Sequence, residues 1–136
     1  MQVQVQRVRA QRSFEPRPDQ VGAARSFVAG ALAEAGTVSP DVALLVSELA
    51  TNAVLHARTR FAVEVLVEDD GDHLRVGVTD LDARLPILGG LDPDASGGRG
   101  IALVRALADA WGVHCRAGSG KTVWFELTGS RSLLAC

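Results

Sequence analysis

The spacing of the apolar residues changes near residue 60, and this change constrains the fold more than any other feature of the chain. Before it, apolar residues recur every three or four positions along 19–35 and 40–57, as on amphipathic helices. After it, apolar and polar residues alternate along 61–68 and 73–80, with an Asp-Asp-Gly-Asp sequence at 69–72 between them. This pattern predicts two helices followed by a β-hairpin.

The remaining segments complete the predicted fold. Residues 1–12 alternate Gln, Val and Arg and predict an edge strand with a frayed end, and residues 129–136 predict a tail. A third helix follows a Gly- and Pro-rich loop of about 17 residues, a length that favours a functional role. A second hairpin joins 113–117 to 121–127. Together these elements predict one domain at 13–128 with an α+β fold. We expect a two-layer α/β sandwich with a mixed, mostly antiparallel sheet and three helices on one face.

Capping residues and glycines predict where the helices begin and end. Asp19 predicts the N-cap of the first helix, and Gly36 predicts its end. Ser39 predicts the N-cap of the second helix, with Pro40 at the first helical position. Gly112 is expected just after the end of the third helix.

Charge and composition argue against several classes of function. Lys plus Arg number 14 against 16 Asp plus Glu, without a basic cluster, so no direct nucleic-acid partner is expected. No apolar run has membrane-spanning length and the first residues carry no secretory signal, so we expect a cytoplasmic protein without a membrane partner. Cys115 and Cys136 are too few for a disulfide framework and predict free thiols. The three histidines, at 56, 73 and 114, lack the spacing of metal ligands.

Three polar side chains stand at intervals of four in the second predicted helix. Glu48, Asn52 and His56 lie among Leu, Val and Ala, and on a helix they share one face. A carboxylate there could orient a water or a hydroxyl, and a carboxamide oxygen could hold a hard cation such as Mg²⁺. The alternative is the solvent-facing side of an ordinary amphipathic helix.

Two further features border the long loop. Asp80 ends the predicted strand, where a carboxylate can accept a hydrogen bond from an exocyclic amine such as that of adenine; the alternative is a turn cap. Gly98, Arg99 and Gly100 lead into the third helix, whose free amides can bind an anion such as phosphate. The alternative for these glycines is a flexible entry loop.

The sequence Gly-Ser-Gly-Lys-Thr at 118–122 is similar to the end of a phosphate-binding P-loop. A P-loop requires Gly at the position that Cys115 occupies here. It must also lead into a helix, whereas 122–127 has the composition of a strand. A P-loop NTPase is therefore excluded.

Four short motifs resemble the N, G1, G2 and G3 boxes of the GHKL ATPase superfamily. They are, in order, Glu48-x-x-x-Asn52, Val78-Thr79-Asp80, Gly98-Arg99-Gly100 and Gly120-Lys121-Thr122. The similarity is greatest to the histidine-kinase-like ATPase domain of anti-sigma-factor serine/threonine kinases, in the stand-alone form common in actinobacteria. It covers 13–128 and implies the Bergerat-type form of the two-layer fold. We expect no two-component sensor kinase, because no phosphoacceptor-histidine segment or dimerisation hairpin is visible.

The resemblance implies a role for each matched residue. Glu48 would polarise an attacking water or the hydroxyl of an acceptor serine, and Asn52 would ligate a Mg²⁺ ion that bridges the phosphates of ATP. Asp80 would bind the adenine amino group, with Thr122 supporting the adenine side. The G2 segment, 98–100, would let a lid and the helix amides close on the phosphates. Positioning and charge neutralisation would carry most of the phosphoryl transfer.

The function implied by the resemblance is a regulatory serine/threonine protein kinase that phosphorylates an antagonist protein and sequesters a sigma factor. The resemblance also implies a homodimer. The G1 box of the superfamily is Asp-x-Gly-x-Gly, whereas 80–84 is Asp-Leu-Asp-Ala-Arg. The loss of both glycines motivates an alternative, a non-catalytic interaction module with weak or no ATP binding. A simple ATP hydrolase is a third hypothesis.

Overall fold

Five strands and three α-helices make up the part of the chain that the computed structural model describes, residues 7–68, 73–82, 96–116 and 119–128. The strands are β1 (Val8–Phe14), β2 (Phe61–Glu68), β3 (His73–Asp80), β4 (Ala110–Arg116) and β5 (Gly120–Thr128). The helices are α1 (Asp19–Glu34), α2 (Pro40–Asn52) and α3 (Ser96–Leu107). A π-helical turn, Ala53–Ala57, follows α2 directly.

The strands form one sheet in the order β1-β2-β3-β5-β4. All four pairings between these strands are antiparallel, so the sheet is more regular than the mixed sheet that the sequence predicts. β1 pairs with β2 from Val8 opposite Val67 to Phe14 opposite Phe61. β1 therefore overlaps residues 8–12 of the edge strand predicted at 1–12, extends to Phe14 and belongs to the same sheet as the hairpin, whereas residues 1–6 lie outside the described residues.

The helices pack on one face of the sheet, which we call the helix-covered face. α1 lies against β1 and β2, α2 against β3, and α3 against β4. Strand residues on this face are buried in the core; they include Val63, Val65, Val76, Val123 and Phe125. The opposite side, the open face, carries Glu64, Leu66, Arg75, Thr122 and Trp124. The two-layer α/β sandwich predicted from the sequence is confirmed.

Two of the four predicted helix-end signals, Gly36 and Ser39, are confirmed. The backbone amide of Val42 donates to Ser39 Oγ over 3.2 Å, which confirms the N-cap of α2 with proline at its start. Gly36 ends α1 with a φ of +82°, as expected for a left-handed residue after a helix. The predicted N-cap of α1 is wrong: Pro18 occupies that position with helical angles, and Asp19 is already inside the helix.

The second predicted helix changes its hydrogen bonding after Asn52. The amide of Arg58 donates to the carbonyl oxygen of Ala53 over 2.7 Å, a bond across five residues that defines a π-helical turn. Arg58 then adopts a left-handed conformation with φ of 58° and ends the helical segment. Isolated π-turns of this kind occur often at functional sites.

The second hairpin begins earlier than the sequence predicts. β4 starts at Ala110, and Gly112, expected after a helix, lies within the strand. The reason is visible on the neighbouring strand: a Cβ atom at position 112 would lie 2.8 Å from Cζ2 of the Trp124 ring. Glycine at this position lets the indole lie directly against the strand, so here it marks a close approach instead of a helix end.

Several predicted segments lie outside the described residues: the turn at 69–72, most of the long loop at 83–95, the turn residues 117–118 and the tail at 129–136. Cys136 is among them, whereas Cys115 is an exposed free thiol, as predicted. Within the described segments, no helix is long and apolar enough to cross a membrane.

Candidate functional site

The candidate site is centred on Asp80, the last residue of β3. Its side chain points to the helix-covered face, and the residue is only 8% exposed. Directly opposite it on the neighbouring strands stand Phe61 of β2 and Lys121 of β5. A carboxylate at such a position loses hydration, so it must be compensated by charge or by hydrogen bonds.

Lys121 supplies that compensation. Its Nζ donates to Asp80 Oδ1 over 3.1 Å and to the carbonyl oxygen of Asp82 over 2.9 Å. The amide of Asp82 in turn donates to Asp80 Oδ1 over 2.8 Å. The three groups form a closed ring of hydrogen bonds, and both charged side chains are at most 10% exposed. The ring joins the carboxylate, the first residues after β3 and the start of β5 into one unit.

The backbone after Asp80 is held by two further contacts. The amide of Leu81 donates to Thr59 Oγ1 over 3.0 Å. On the other side, Gly120 has a φ of +113° and packs so closely that a Cβ atom there would overlap the carbonyl oxygen of Asp80. Only glycine combines this φ with this approach. Residues 81 and 82 therefore occupy a defined position although the G1 glycines are absent.

Thr122 lies apart from the Asp80 side chain. Thr122 Oγ1 and Thr79 Oγ1 are 2.6 Å apart and share a hydrogen bond on the open face of the sheet. Because adjacent residues of a strand point to opposite faces, Thr122 faces away from the Asp80 carboxylate, next to which it is expected to support the adenine. The residue beside the carboxylate is Lys121, which the motif assignment passed over. Strand alternation marks it, because 121 shares its face with the buried residues Val123 and Phe125.

Glu48 and Asn52 lie on α2, the helix that packs on β3 and α3. Both are half-buried, whereas His56, in the π-helical turn, is exposed. Three residues separate the end of the turn, Ala57, from Phe61, the partner of Asp80, so α2 and β3 end on the same side of the sheet. The Thr59–Leu81 hydrogen bond joins these two ends directly. The structure thus brings the helix with the N motif and the strand with the G1 motif to one place.

The G2 motif lies within α3 instead of before it. The helix begins at Ser96, so 98–100 belong to its first turns. The amides of the N-cap and of the first three helical residues have no partner within a helix, and that set includes Gly98 but neither Arg99 nor Gly100. The side chains in this part of α3 lie outside the described residues. Since α3 packs on α2, the start of this helix belongs to the same layer as Glu48 and Asn52.

Comparisons with known proteins agree with the fold. A family model described as histidine kinase-like ATPase domain matches residues 14–127. Among solved structures, the RsbU and RsbW domains of Rv1364c from Mycobacterium tuberculosis superpose with a TM-score of 0.62 at 18% sequence identity. The match covers 88% of this chain and 32% of that chain, and at this identity it shows the fold alone. No curated protein matches the sequence.

Proposed function

This chain belongs to the family of histidine kinase-like ATPase domains, and we propose that it is an ATP-dependent regulatory protein kinase of the anti-sigma-factor type. It would transfer phosphate to a serine or threonine of an antagonist protein and sequester a sigma factor. One observation carries the proposal: a buried carboxylate, Asp80, lies at the end of β3, on the side of the sheet where the helix with Glu48 and Asn52 also ends. Four motifs in family order support the finer assignment.

Asp80 is the proposed contact to the base. An ionised carboxylate only accepts hydrogen bonds, so it pairs with the exocyclic amine of adenine. Lys121 and the Asp82 amide occupy Oδ1, and these are the two hydrogen bonds that Asp80 accepts from other described residues. The second oxygen, Oδ2, is the acceptor that we assign to the adenine amine. Thr122 keeps no direct role in this proposal, because it lies on the open face.

Mg²⁺ is the metal that the family implies, and the donors present fit it. Among the described residues, no group of three or more His, Cys, Asp or Glu could hold a metal ion. Mg²⁺ bound with a nucleotide does not need such a cage, because it takes one or two protein oxygens and completes its shell with phosphates and water. The side-chain oxygen of Asn52 is the proposed ligand. Such an ion neutralises charge on the phosphates when bound.

Glu48 is the proposed general base. Its carboxylate would accept the proton of the substrate hydroxyl while the hydroxyl oxygen bonds to the γ-phosphorus. The bond between that phosphorus and the β–γ bridging oxygen breaks, and ADP leaves with the electron pair. Glu48 is half-buried on α2, which limits its motion and shields it in part from water. The amides at the start of α3 would stabilise the phosphate oxygens.

Transfer of labelled phosphate from ATP to a co-encoded antagonist protein tests the kinase assignment. We expect Glu48→Ala to reduce the transfer rate by roughly 100-fold or more while Mg-ATP still binds. Asp41→Ala, a change of another carboxylate at the opposite end of α2, is the matched control and should leave transfer unchanged. Failure of wild-type protein to phosphorylate any such antagonist, with Mg-ATP bound, would refute the kinase assignment.

A second candidate is the non-catalytic interaction module. It is favoured by the missing G1 glycines and by the engagement of Asp80 Oδ1 with Lys121. Calorimetric titration with Mg-ATP separates the two: binding that Asp80→Asn abolishes removes the module, and no binding in the wild type supports it. The homodimer implied by the family remains a prediction, which light scattering of the purified protein at two concentrations would test.

A further inference from the structure

We propose that Lys121 is a positioning residue that sets the base selectivity of this site, by holding Asp80 so that only one of its carboxylate oxygens meets the base. The inference rests on the proposed function, because it assumes that a purine nucleotide binds at Asp80. In this proposal, Lys121 of β5 and the backbone of Asp82 together determine which purine base Asp80 accepts.

The Lys121 ammonium is bonded to acceptors of the protein itself. Lys121 Nζ contacts one oxygen of Asp80 and the carbonyl oxygen of Asp82, at 3.1 and 2.9 Å. Both are acceptors within the protein, and the lysine side chain is only 8% exposed. The ammonium is therefore already paired within the protein, and its charge compensates the Asp80 carboxylate.

The Asp80 carboxylate is held in one orientation. Two donors converge on Oδ1, one from β5 and one from the residue two positions later in the chain. Rotation of the carboxylate would break both bonds in a buried place, where unmade hydrogen bonds are costly. Oδ2 is thereby kept in one direction as a pure acceptor, which suits a 6-amino purine and opposes a 6-oxo purine.

The altered G1 segment is anchored by its neighbours at three points. Gly120 presses against the backbone of Asp80 and Leu81, and Thr59 accepts from the amide of Leu81. Lys121 adds the third anchor through the Asp82 carbonyl. These contacts hold the two residues after β3 next to the carboxylate, so the segment is positioned by neighbouring strands and not by glycine flexibility.

The same two strands provide a control. Arg75 and Glu126 form a second cross-strand pair between β3 and β5, with Nη1 and Oε2 3.0 Å apart. That pair lies on the open face and is 46% and 24% exposed. Substitution of Arg75 removes a charge from the same two strands and leaves the contacts of Asp80 intact.

The experiment measures the dissociation constants of Mg-ATP and Mg-inosine triphosphate by calorimetry. The two nucleotides differ at position 6, an amine against a carbonyl oxygen, and at N1, which accepts in adenine and carries a proton in hypoxanthine. Asp80 would have to turn away from position 6 to accept from that N1–H, and the contacts at Oδ1 oppose this. In the wild type, we expect ATP to bind roughly 10-fold to 100-fold more tightly, because a buried acceptor facing another acceptor is left unpaired. In Lys121→Met the preference for ATP over inosine triphosphate should fall below about 3-fold, and ATP should bind at least roughly 10-fold more weakly than to the wild type. Lys121→Arg should restore much of the ratio, and Arg75→Met should not change it.

The outcomes separate the two proposals. If the wild type binds neither nucleotide, the proposed function fails and the role of Lys121 fails with it. If the wild type prefers ATP and Lys121→Met keeps both affinity and ratio, only the positioning role is overturned. Tighter ATP binding by Lys121→Met would also overturn it, since the lysine would then compete with the base for Asp80. Should circular dichroism show that the Met variant is unfolded, Lys121→Gln, which keeps a donor without the charge, carries the same comparison and the same criteria.

Discussion

β3 and β5 carry two ion pairs on opposite faces of the same sheet, and they differ in almost everything except the strands that hold them. Asp80 and Lys121 are at most 10% exposed and share a ring of hydrogen bonds with the backbone of Asp82. Arg75 and Glu126 lie on the open face, where the guanidinium also stacks over Trp124 at 4.3 Å from the ring centroid. Distance does not separate them, because the two N–O separations are 3.1 and 3.0 Å.

The difference lies in what water does for each pair. On the open face, water solvates each charge when the partner is removed, so the pair contributes little. On the helix-covered face, the loss of one partner leaves a buried charge uncompensated. Nearly equal N–O separations therefore correspond to different energetic roles. The pair on the open face contributes little to stability, and the buried pair positions the groups of the candidate site.

The largest expected effect is that of Lys121→Met on stability. We expect the free energy of unfolding to fall by about 3–5 kcal/mol, because Asp80 stays buried without its cation. Urea denaturation followed by circular dichroism measures this change. The double variant Asp80→Leu with Lys121→Met removes both charges and should recover most of the loss. A single-variant loss below about 1 kcal/mol would show that the two ion pairs are equivalent.

Gly120→Ala is expected to have the second largest effect. Its Cβ would meet the carbonyl oxygen of Asp80 and lie 2.9 Å from the Cα of Leu81, both of them backbone atoms. The φ of +113° adds strain for any residue with a side chain. We expect a loss of about 2–3 kcal/mol. Thermal unfolding checks it, with Gly30→Ala in the middle of α1, where an added Cβ meets nothing within 4 Å, as the matched control.

Gly112→Ala tests the same close approach on the open face. Here the added Cβ meets the Trp124 ring at 2.8 Å, and a side chain at the surface can move where backbone cannot. The expected loss is about 1–2 kcal/mol, smaller than for Gly120→Ala. A change in tryptophan fluorescence should accompany it. If this variant were the more damaging of the two, the helix-covered face would not be the more constrained one.

Arg75→Met should have the smallest effect, a loss of about 0.5–1 kcal/mol from the exposed ion pair and the contact with Trp124. Urea denaturation at low and high salt measures it, and the difference from the wild type should shrink as salt screens the pair. A loss comparable to that of Lys121→Met would remove the distinction between the two faces.

The sequence predicted the layers of this fold better than the details of its site. Alternation along 61–68 and 73–80 predicts β2 and β3 to the residue, because one face of each strand is buried and the other is not. Ser39 with Pro40 likewise predicts the start of α2, since both act through local backbone chemistry. Local rules and one-sided burial are visible in a single sequence.

The sequence-based predictions fail where the local structure depends on a residue that is distant in the sequence. Gly112 was expected after a helix, but its neighbour across the sheet is Trp124, twelve residues later. The ring of Asp80, Lys121 and Asp82 depends on the register of β3 against β5, which spans 41 residues between the two charged side chains. Strand alternation places Lys121 on the buried face of β5, but no residue near it in the sequence identifies Asp80 as its partner. The π-helical turn after Asn52 is a third case, because its apolar pattern is compatible with an ordinary helix.

The strand order has a consequence for the way this domain folds. β2 with β3 and β4 with β5 are neighbours in sequence, whereas the pairing of β3 with β5 joins these two hairpins across the sheet. Hairpins close in about 1–10 μs, and the joint between them must wait for a longer loop to close. Asp80 and Lys121 belong to this pairing of β3 with β5. We therefore expect their charges to become buried late in folding, mostly after the transition state. Weakening the pair should then speed unfolding more than it slows folding, and the lifetime of the native state would depend on the same contact that shapes the site.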